Sequence, residues 1–481
     1  MPALSQPGQP GFPGSFGPPG PPGSNDPSAA AAPTDLRGDG QGACAVLRPG
    51  PTPRAAERVA GERPHDAALM ALALAEAERG RGRTSPNPLV GALVVDEGDG
   101  DAGEPRVLSR GFHARAGTDH AEVAALRPLG LVAPGKTLYV TLEPCNHIGR
   151  TGKCTDAVLA AGIRRVVIGM HDPNPRVTGG GIERLRAAGL EVVVGVGEAQ
   201  CRHLNRGYLR WLHSGMPHAI LKAALSLDGR LAPAGAHAAS PPSPQWLTGA
   251  EARAAAHVLR DEVDAILIGA GTVLADDPQL TVRLPPAALA AASSSGRASR
   301  QPLRVVLDGA LRTPATAKLC GPGTVLFTSE PAAAAQPGTV QALADRGVEV
   351  IPLPPFRPRS NEILHRPLRP TDISPFDVLA RLGERGVLLL LCEGGAELHA
   401  VLLELGLYAE AALFLAPVLL GDRGVPLLSG YPVPSVGAAP WLDGVTVQAL
   451  GRDVLVRGLL RLGGYSPSAP AEPAAVAAGG T

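Results

Sequence analysis

A chain of 481 residues exceeds one ordinary hydrophobic core and sets an expectation of roughly two or three domains. Lysine plus arginine and aspartate plus glutamate both number 44 and only 3% of residues are aromatic, so composition offers neither a bulk field nor a stacking platform for nucleic acid, and no attraction to an anionic membrane. Six scattered cysteines (44, 145, 154, 201, 320 and 392) do not resemble a disulfide-stapled secreted domain and no run of about 18 apolar residues offers a membrane span, which together predict a soluble, cytoplasmic protein with a small-molecule partner.

Residues 1–62 are rich in Pro, Gly, Ala and Ser without apolar periodicity, and are expected to be disordered. A cleaved targeting peptide is the rival reading, but the segment lacks a basic start followed by an apolar stretch. From Arg63 to about Gly80, Ala68, Leu69, Leu72, Ala73 and Ala75 recur with helical spacing. Leu89 to Val95 reads as a strand, Asp96 to Pro105 as a glycine-rich turn and Arg106 to Phe112 as the returning strand. Thr118 or Asp119 is the expected cap of a helix through Ala121 to Leu126, followed by a strand over Lys136 to Leu142, a helix from Cys154 to Ala161 and a strand over Arg165 to Gly169. The order is β-β-α-β-α-β, which places the first domain at residues 63–215.

The second domain is expected over 216–465, beginning with a strand from Pro217 to Ala224 and the turn Ser226-Leu227-Asp228-Gly229. A helix over Ala250 to Arg260 and strands over Ala265 to Ile268, Arg304 to Leu307, Thr324 to Thr328 and Val387 to Cys392 predict a mainly parallel sheet covered on both faces. Pro285 to Pro302 and Pro354 to Pro370 read as surface insertions, and 466–481 as a disordered tail.

One pattern specifies a reaction. A catalytic zinc needs three protein ligands, one open position and a carboxylate that carries protons without binding the metal. His120, Cys145 and Cys154 supply the ligands and Glu122 the carboxylate, in the order His-Ala-Glu, Glu-Pro-Cys, Cys that marks hydrolytic deaminases of base-like rings. A structural zinc would recruit a fourth ligand, for which His147 is the neighbouring candidate. Eight residues, 146–153, separate the two cysteines where the general signature has two, so a loop is expected at the pocket mouth. Asn87, set between prolines, either reads the ring edge with its amide or closes an Asx turn. In the second domain, Gly269-Ala270-Gly271 lacks a third glycine, while Glu393-Gly394-Gly395 follows a strand and opens a helix. That turn either cradles a pyrophosphate or simply reverses the chain.

Ser85-Pro86-Asn87-Pro88, His120-Ala121-Glu122, Glu143-Pro144-Cys145, Gly149-Arg150-Thr151 before Cys154 and Asp172 to Pro175 together resemble the bifunctional riboflavin-biosynthesis deaminase-reductases, and the resemblance runs from about Pro64 to Gly463. It extends through Leu221-Lys222-Ala223-Ala224, Gln245-Trp246-Leu247-Thr248, Thr272 to Pro278 and Glu393-Gly394-Gly395. It implies a cytidine-deaminase-like three-layer domain followed by a dihydrofolate-reductase-like α/β domain. It also implies zinc and NADPH as cofactors, and as substrate a pyrimidine ribosyl phosphate that is deaminated and then reduced in its sugar. The family's cofactor contacts fall on Ala224, Trp246, Thr272, Asp276, Gly395, Ala396, Glu397, Leu398, His399, Ala400 and Val401. Its substrate contacts fall on Arg260, Leu280, Arg283 and Glu393, and Asn87 is the substrate candidate in the first domain; Lys222, Glu393 and the arginines are expected to orient the second step. Pro244 replaces a usual serine before the tryptophan, and Gly309 stands where some relatives carry serine. A nucleic-acid deaminase would want a basic groove with aromatics, and a scaffold with structural zinc would not need Glu122. A homo-oligomer is compatible with all of this.

Overall fold

The protein is described by a computed structural model covering residues 59–98, 104–147, 152–174, 180–235, 246–284, 300–358 and 364–464. Residues 1–58 and 466–481 of the expected tails, the 285–299 and 359–363 parts of the two insertions and the 148–151 loop lie outside these residues, whereas 59–62, expected to be disordered, are ordered, with Val59 packed against the core and its N–H bonded to Glu62 at 2.8 Å. Helix α1 (Asp66–Glu78) forms from a run of alanine, leucine and glutamate, all good helix formers, and buries Leu69, Met70, Ala73 and Ala77 on one face. Strands β1 (Gly91–Asp96) and β2 (Arg106–Phe112) make the expected antiparallel pair. They join β3 (Thr137–Val140), β4 (Arg165–Ile168) and β5 (Glu191–Val194) in a sheet of order β2-β1-β3-β4-β5, the last three parallel.

Helices α2 (Ala121–Leu126), α3 (Cys154–Ala160) and α4 (Gly181–Ala187) cover one face of this sheet, packing Ala121, Leu126, Val158, Ile182 and Leu185 against it. The other face carries α1 and α5 (Glu198–Leu204), which gives the three layers expected. Two glycines set the spacing. A Cβ on Gly91 would meet the Ala73 carbonyl at 2.0 Å and one on Gly111 would meet the Ala125 amide at 2.2 Å, so α1 and α2 lie directly on the strand backbones. Neither Thr118 nor Asp119 caps α2. His120 holds the cap position in extended conformation without a side-chain cap bond, because Asp119 accepts from Arg127 Nε at 2.8 Å and Thr118 donates to the Arg115 carbonyl.

After α6 (Arg206–Ser214) begins a nine-stranded sheet. Its members are β6 (His218–Ser226), β8 (Ala265–Gly269), β9 (Leu303–Leu307), β10 (Thr324–Ser329), β11 (Val348–Leu353), β12 (Leu389–Cys392), β13 (Tyr408–Ala416), β15 (Trp441–Leu450) and β16 (Asp453–Arg461), in the order β11-β10-β9-β8-β12-β6-β13-β16-β15. β7 (Arg230–Ala232) and β14 (Val425–Pro426) pair separately. The sheet is parallel from β11 to β13 and antiparallel only at the β13-β16-β15 edge. Helices α7 (Ala250–Glu262) and α8 (Ala270–Asp276) cover one face, and helices Pro375–Glu384 and Ala396–Glu404 the other. The sequence did not lead us to α4, β5, α5 or α6, nor to the antiparallel edge.

The domains meet through α6 and the Gly82–Leu89 loop. Within the first domain the Asn205 amide ties that loop to α6 by bracketing Leu89, accepting from its N–H at 2.8 Å and donating to its carbonyl at 2.9 Å, and the bonds that cross to the second domain start from these two segments. Trp211 Nε1 donates to the Gly383 carbonyl at 2.9 Å, Arg206 pairs with Glu410 at 2.9 Å and Arg83 with Asp261 at 3.0 Å.

A fully buried Arg165 lies at one end of the first sheet. It reaches Asp66 at 2.7 Å, Glu97 at 3.0 Å and Glu191 at 2.8 Å, while Tyr139 donates to Asp66 at 2.7 Å. Burial alone would raise the Asp66 and Glu97 carboxyls, but Arg165 and the surrounding hydrogen bonds hold both below their ordinary values of 3.8 and 4.5. Depressed carboxylates contribute stability that is present above those ordinary values and is lost as pH falls through the lower folded-state values. Replacing Arg165 by Met strands the buried Asp66 carboxylate and leaves Glu97 to the more exposed Arg63 and Arg164, and is expected to cost about 3–5 kcal/mol at pH 7. Because those acids then prefer to be protonated, the gap between variant and wild type should narrow on acidification to pH 4. Urea midpoints at the two pH values check this, and an equal gap at both contradicts it.

Candidate active sites

The start of α2, the end of the β3 segment and the start of α3 converge at one edge of the first sheet. His120 Nδ1 lies 3.1 Å from Cys154 Sγ and 3.5 Å from Cys145 Sγ, and the three ligand atoms all fall within 4.8 Å of one another. The Cys154 N–H, at a helix start, points to Cys145 Sγ at 3.5 Å, and the Thr155 N–H bonds the Cys145 carbonyl at 3.2 Å. Both cysteines are buried. Hydrogen bonds from the Cys154 thiol and His120 outweigh burial and lower the Cys145 thiol, while its negative partner and burial push Cys154 up.

One imidazole nitrogen and two thiols on three segments are a zinc donor set rather than one for magnesium or calcium. Two buried sulfurs this close to a ring nitrogen favour a shared cation. His147 is exposed and outside this group, so among the described residues the set stops at three ligands. His65, Asp66 and Glu97 also cluster, but the Arg165 guanidinium already neutralises those acids.

Glu122 sits in the first turn of α2 and is only 3% exposed. Burial, then the charge on Cys145, pushes its carboxyl up to about 7. A carboxyl poised there takes and returns protons at neutral pH.

Asn87 is linked to this group through His113. Its Nδ2 lies 3.1 Å from His113 Nε2, and His113 Nδ1 lies 3.1 Å from the Asp119 carbonyl. Burial lowers the His113 pKa, so the ring is neutral, donates from Nδ1 to the carbonyl and accepts the Asn87 amide at Nε2. His113 packs edge-on to His120 at 5.4 Å between ring centroids. Sequence reasoning missed His113, although its place directly after β2 was a signal. Asp172 and Asn174 brace a loop: the Asn174 amide donates to the Tyr208 hydroxyl at 3.1 Å, which donates to Asp172 at 3.3 Å.

A second constellation lies at the C-terminal ends of β8 and β12. Glu393 accepts Arg260 Nε at 2.6 Å and Nη2 at 2.9 Å, and Lys222 Nζ at 3.2 Å. Burial would raise Glu393, but the charges of Lys222 and Arg260 hold it far below the ordinary carboxylate range. Arg260 Nη1 also donates to the Thr281 carbonyl at 3.1 Å. Arg283 is exposed nearby, bonded to Gln279 and Thr281, and its N–H points to His257 Nδ1 at 3.3 Å. Leu280 is buried with φ 51, a left-handed turn that carries the chain back toward Arg260.

The starts of α8 and of the Ala396–Glu404 helix lie side by side, since a Cβ on Gly395 would stand 3.6 Å from Thr272 Oγ1. Ala224 and Thr272 are half-buried, whereas Asp276 and Glu397 are exposed. The Leu398, His399, Ala400 and Val401 side chains are buried in the core, so this stretch presents mainly the backbone of Gly395 and Ala396. His399 is pushed down to about 4 by burial and hydrogen-bonds the Tyr408 hydroxyl at 2.7 Å. Trp246 is 64% exposed, with Arg253 stacked 5.2 Å from its ring centroid. Pro244 lies outside the described residues. At Gly309 a Cβ would meet the Thr371 carbonyl at 1.8 Å, so the backbone leaves no room for a serine, and Ser329 Oγ instead donates to the Gly309 carbonyl at 2.7 Å.

These features agree with comparisons to known proteins. Residues 63–170 match the cytidine and deoxycytidylate deaminase zinc-binding region, and residues 217–456 match the RibD C-terminal domain. The chain is 38% identical over 360 residues to the riboflavin biosynthesis protein RibD of Aquifex aeolicus, covering 74% of this chain and 88% of that protein. It is 37% identical to the Escherichia coli protein of the same name, covering 81% and 98%. Among solved structures, Acinetobacter baumannii RibD superposes with a TM-score of 0.67 at 32% identity over 82% of this chain and 99% of that one. A Thermotoga maritima diaminohydroxyphosphoribosylaminopyrimidine deaminase/5-amino-6-(5-phosphoribosylamino)uracil reductase superposes with a TM-score of 0.65 at 31% identity, covering 82% and 98%.

If His113 holds Asn87 for substrate, His113→Leu should leave zinc content unchanged. It should raise the KM for deamination about tenfold, the weight of one polar contact. Metal analysis with steady-state kinetics checks this, and unchanged KM contradicts it.

Proposed function

Because this chain belongs to the RibD family of bifunctional riboflavin-biosynthesis deaminase-reductases, we propose that its two sheets divide the two activities between residues 63–215 and 216–465. The protein is a deaminase and a reductase of riboflavin biosynthesis that uses zinc and NADPH. It acts on a small molecule, and no described helix is long and apolar enough to cross a membrane. The observation that carries the reading is the His120–Cys145–Cys154 cluster with the buried Glu122 beside it.

The substrate we assign to the first half is 2,5-diamino-6-ribosylamino-4(3H)-pyrimidinone 5′-phosphate, which loses its 2-amino group. His120, Cys145 and Cys154 hold zinc, which supplies Lewis acidity and an activated water when bound. Asn87, steadied by His113, hydrogen-bonds the edge of the pyrimidine ring. Glu122 takes a proton from the attacking water on its carboxylate oxygen and returns it to the departing amine nitrogen. The surrounding burial keeps that proton from bulk water.

In the second half the substrate is the deaminated intermediate, and the product is 5-amino-6-(ribitylamino)uracil 5′-phosphate. NADPH supplies the hydride when bound. Gly395 and Ala396 offer backbone N–H groups to its phosphates at a helix start, with Ala224, Trp246, Thr272 and Asp276 forming that side of the site and Leu398 to Val401 anchoring the helix in the core behind it. Arg283 and the Leu280 turn hold the substrate phosphate end, since a guanidinium offers paired donors to phosphate oxygens. Glu393, fixed by Arg260 and Lys222, orients the sugar hydroxyls as an acceptor that stays ionised at every physiological pH. A homo-oligomer and a cytoplasmic location are part of the same reading.

The test follows ammonia release and nicotinamide absorbance on the purified protein with the pyrimidine phosphate. Ammonia should appear without NADPH, and NADPH oxidation should require the deaminated ring. Glu122→Gln should retain zinc and lose deamination by about two to four orders of magnitude. Cys145→Ser should lose zinc and deamination yet still reduce the deaminated intermediate. Retained deamination in Glu122→Gln contradicts the proton role, and lost reduction in Cys145→Ser contradicts the division of labour.

A further inference from the structure

A cleft of about 650 Å³ opens where the two domains meet, lined by Ser85 of the deaminase loop and by residues that precede β9, β10 and β12. It therefore lies at the N-terminal ends of those parallel strands, whereas Gly269 and Glu393 stand at the opposite ends of β8 and β12. Its volume falls within the range of small-molecule sites.

The charge of the lining is one-sided. Arg300, Arg304 and Arg385 face one acidic residue, Asp264. Asp264 is already committed: one oxygen accepts the Leu388 and Leu389 N–H groups at 2.9 and 3.0 Å, and the other takes Arg300 at 3.2 Å. Arg385 pairs with Glu349 at the rim, where both partners are solvated and the pair contributes little. Arg304 donates to the Pro322 carbonyl and has no carboxylate partner among the described residues. Burial disfavours its charge. A half-buried guanidinium facing space with only a carbonyl for company is a cost that an anion relieves.

We propose that this cleft is a binding site for a sugar phosphomonoester, with Arg304 and Arg385 on the phosphate and Pro302, Leu303 and Val387 against the organic part. Both walls run on to the reaction centres. Ser85 precedes Asn87 by two residues, and a smaller cavity lined by Ser85, Asn87 and Asp264 adjoins the cleft on the deaminase side. On the other side Gln301 brackets Val282, accepting from its N–H at 2.8 Å and donating to its carbonyl at 3.1 Å, one residue from Arg283. An occupant is thus placed to stiffen the segments that carry Asn87 and Arg283.

The test is calorimetric titration of the zinc-loaded, full-length protein with ribose 5-phosphate under saturating NADP⁺, which fills the cofactor site. Arg283→Gln removes the phosphate clamp assigned to the reductase and serves as the comparison. Arg304→Gln and Arg385→Gln are each expected to weaken ribose 5-phosphate binding at least tenfold in the Arg283→Gln background, with melting temperature and zinc content equal to those of Arg283→Gln alone; introduced singly into the protein that keeps Arg283, each leaves both basal activities unchanged. Arg385 is exposed, so its variant reports even where Arg304→Gln fails to fold. Absence of binding in the Arg283→Gln protein, or isotherms that superimpose with and without Arg304→Gln and Arg385→Gln, overturns the proposal. Because neither residue belongs to the zinc or reductase site, that failure would leave the assigned activities standing.

Discussion

Two thiols and an imidazole held within 4.8 Å of one another, out of water, are the constraint from which the rest of the first domain follows. Left to themselves these groups share protons awkwardly, with Cys145 drawn toward thiolate and Cys154 held neutral. A divalent cation resolves that conflict. The fold reaches the arrangement by placing His120 and Cys154 at the starts of α2 and α3, with Cys145 in the loop between β3 and α3. Gly111 brings α2 onto the β2 backbone, and that close approach sets where His120 and Glu122 stand. Glu122 is then buried beside the ligands without joining them.

The second domain solves a different problem with similar means. Three charged side chains, Lys222, Arg260 and Glu393, are drawn together half-buried because they neutralise one another, and β6, α7 and the end of β12 bring them there. Open parallel sheets place ligands beyond the carboxyl ends of their strands, and both helix starts proposed for the dinucleotide lie at those ends. The domains are joined by polar groups that leave few bonds unmade: Arg206 on Glu410, Arg83 on Asp261, Trp211 on the Gly383 carbonyl and Arg300 on the Gly82 carbonyl, with Asp264 holding Arg300 in place. The arginine-rich cleft beside Asp264 is the place where this economy is incomplete.

Much of this was legible in the sequence because it is written locally. The zinc ligands follow one another in chain order with recognisable neighbours, and the β1–β2 hairpin, α7 and the strands β6, β8, β9, β10 and β12 have the periodicity of their elements. Residues whose roles depend on distant partners were not legible. His113 matters because the end of β2 comes to rest beside Asn87, 26 positions earlier, which no spacing rule announces. The cap of α2 was misassigned because Asp119 has the right chemistry but a better partner in Arg127. The β13-β16-β15 edge was passed over, and β15 is so exposed that its alternation carries little core signal. The family resemblance named Leu398 to Val401, but only coordinates show those side chains turned inward.

The central claim is that one imidazole and two thiolates, and no fourth protein group, surround the metal of the deaminase half. X-ray absorption on the zinc-loaded protein measures this directly. The account predicts two sulfurs at about 2.3 Å and two lighter nitrogen or oxygen neighbours at about 2.0–2.1 Å. A shell with three or four sulfurs, one with none, or the absence of zinc from fully active protein would contradict it.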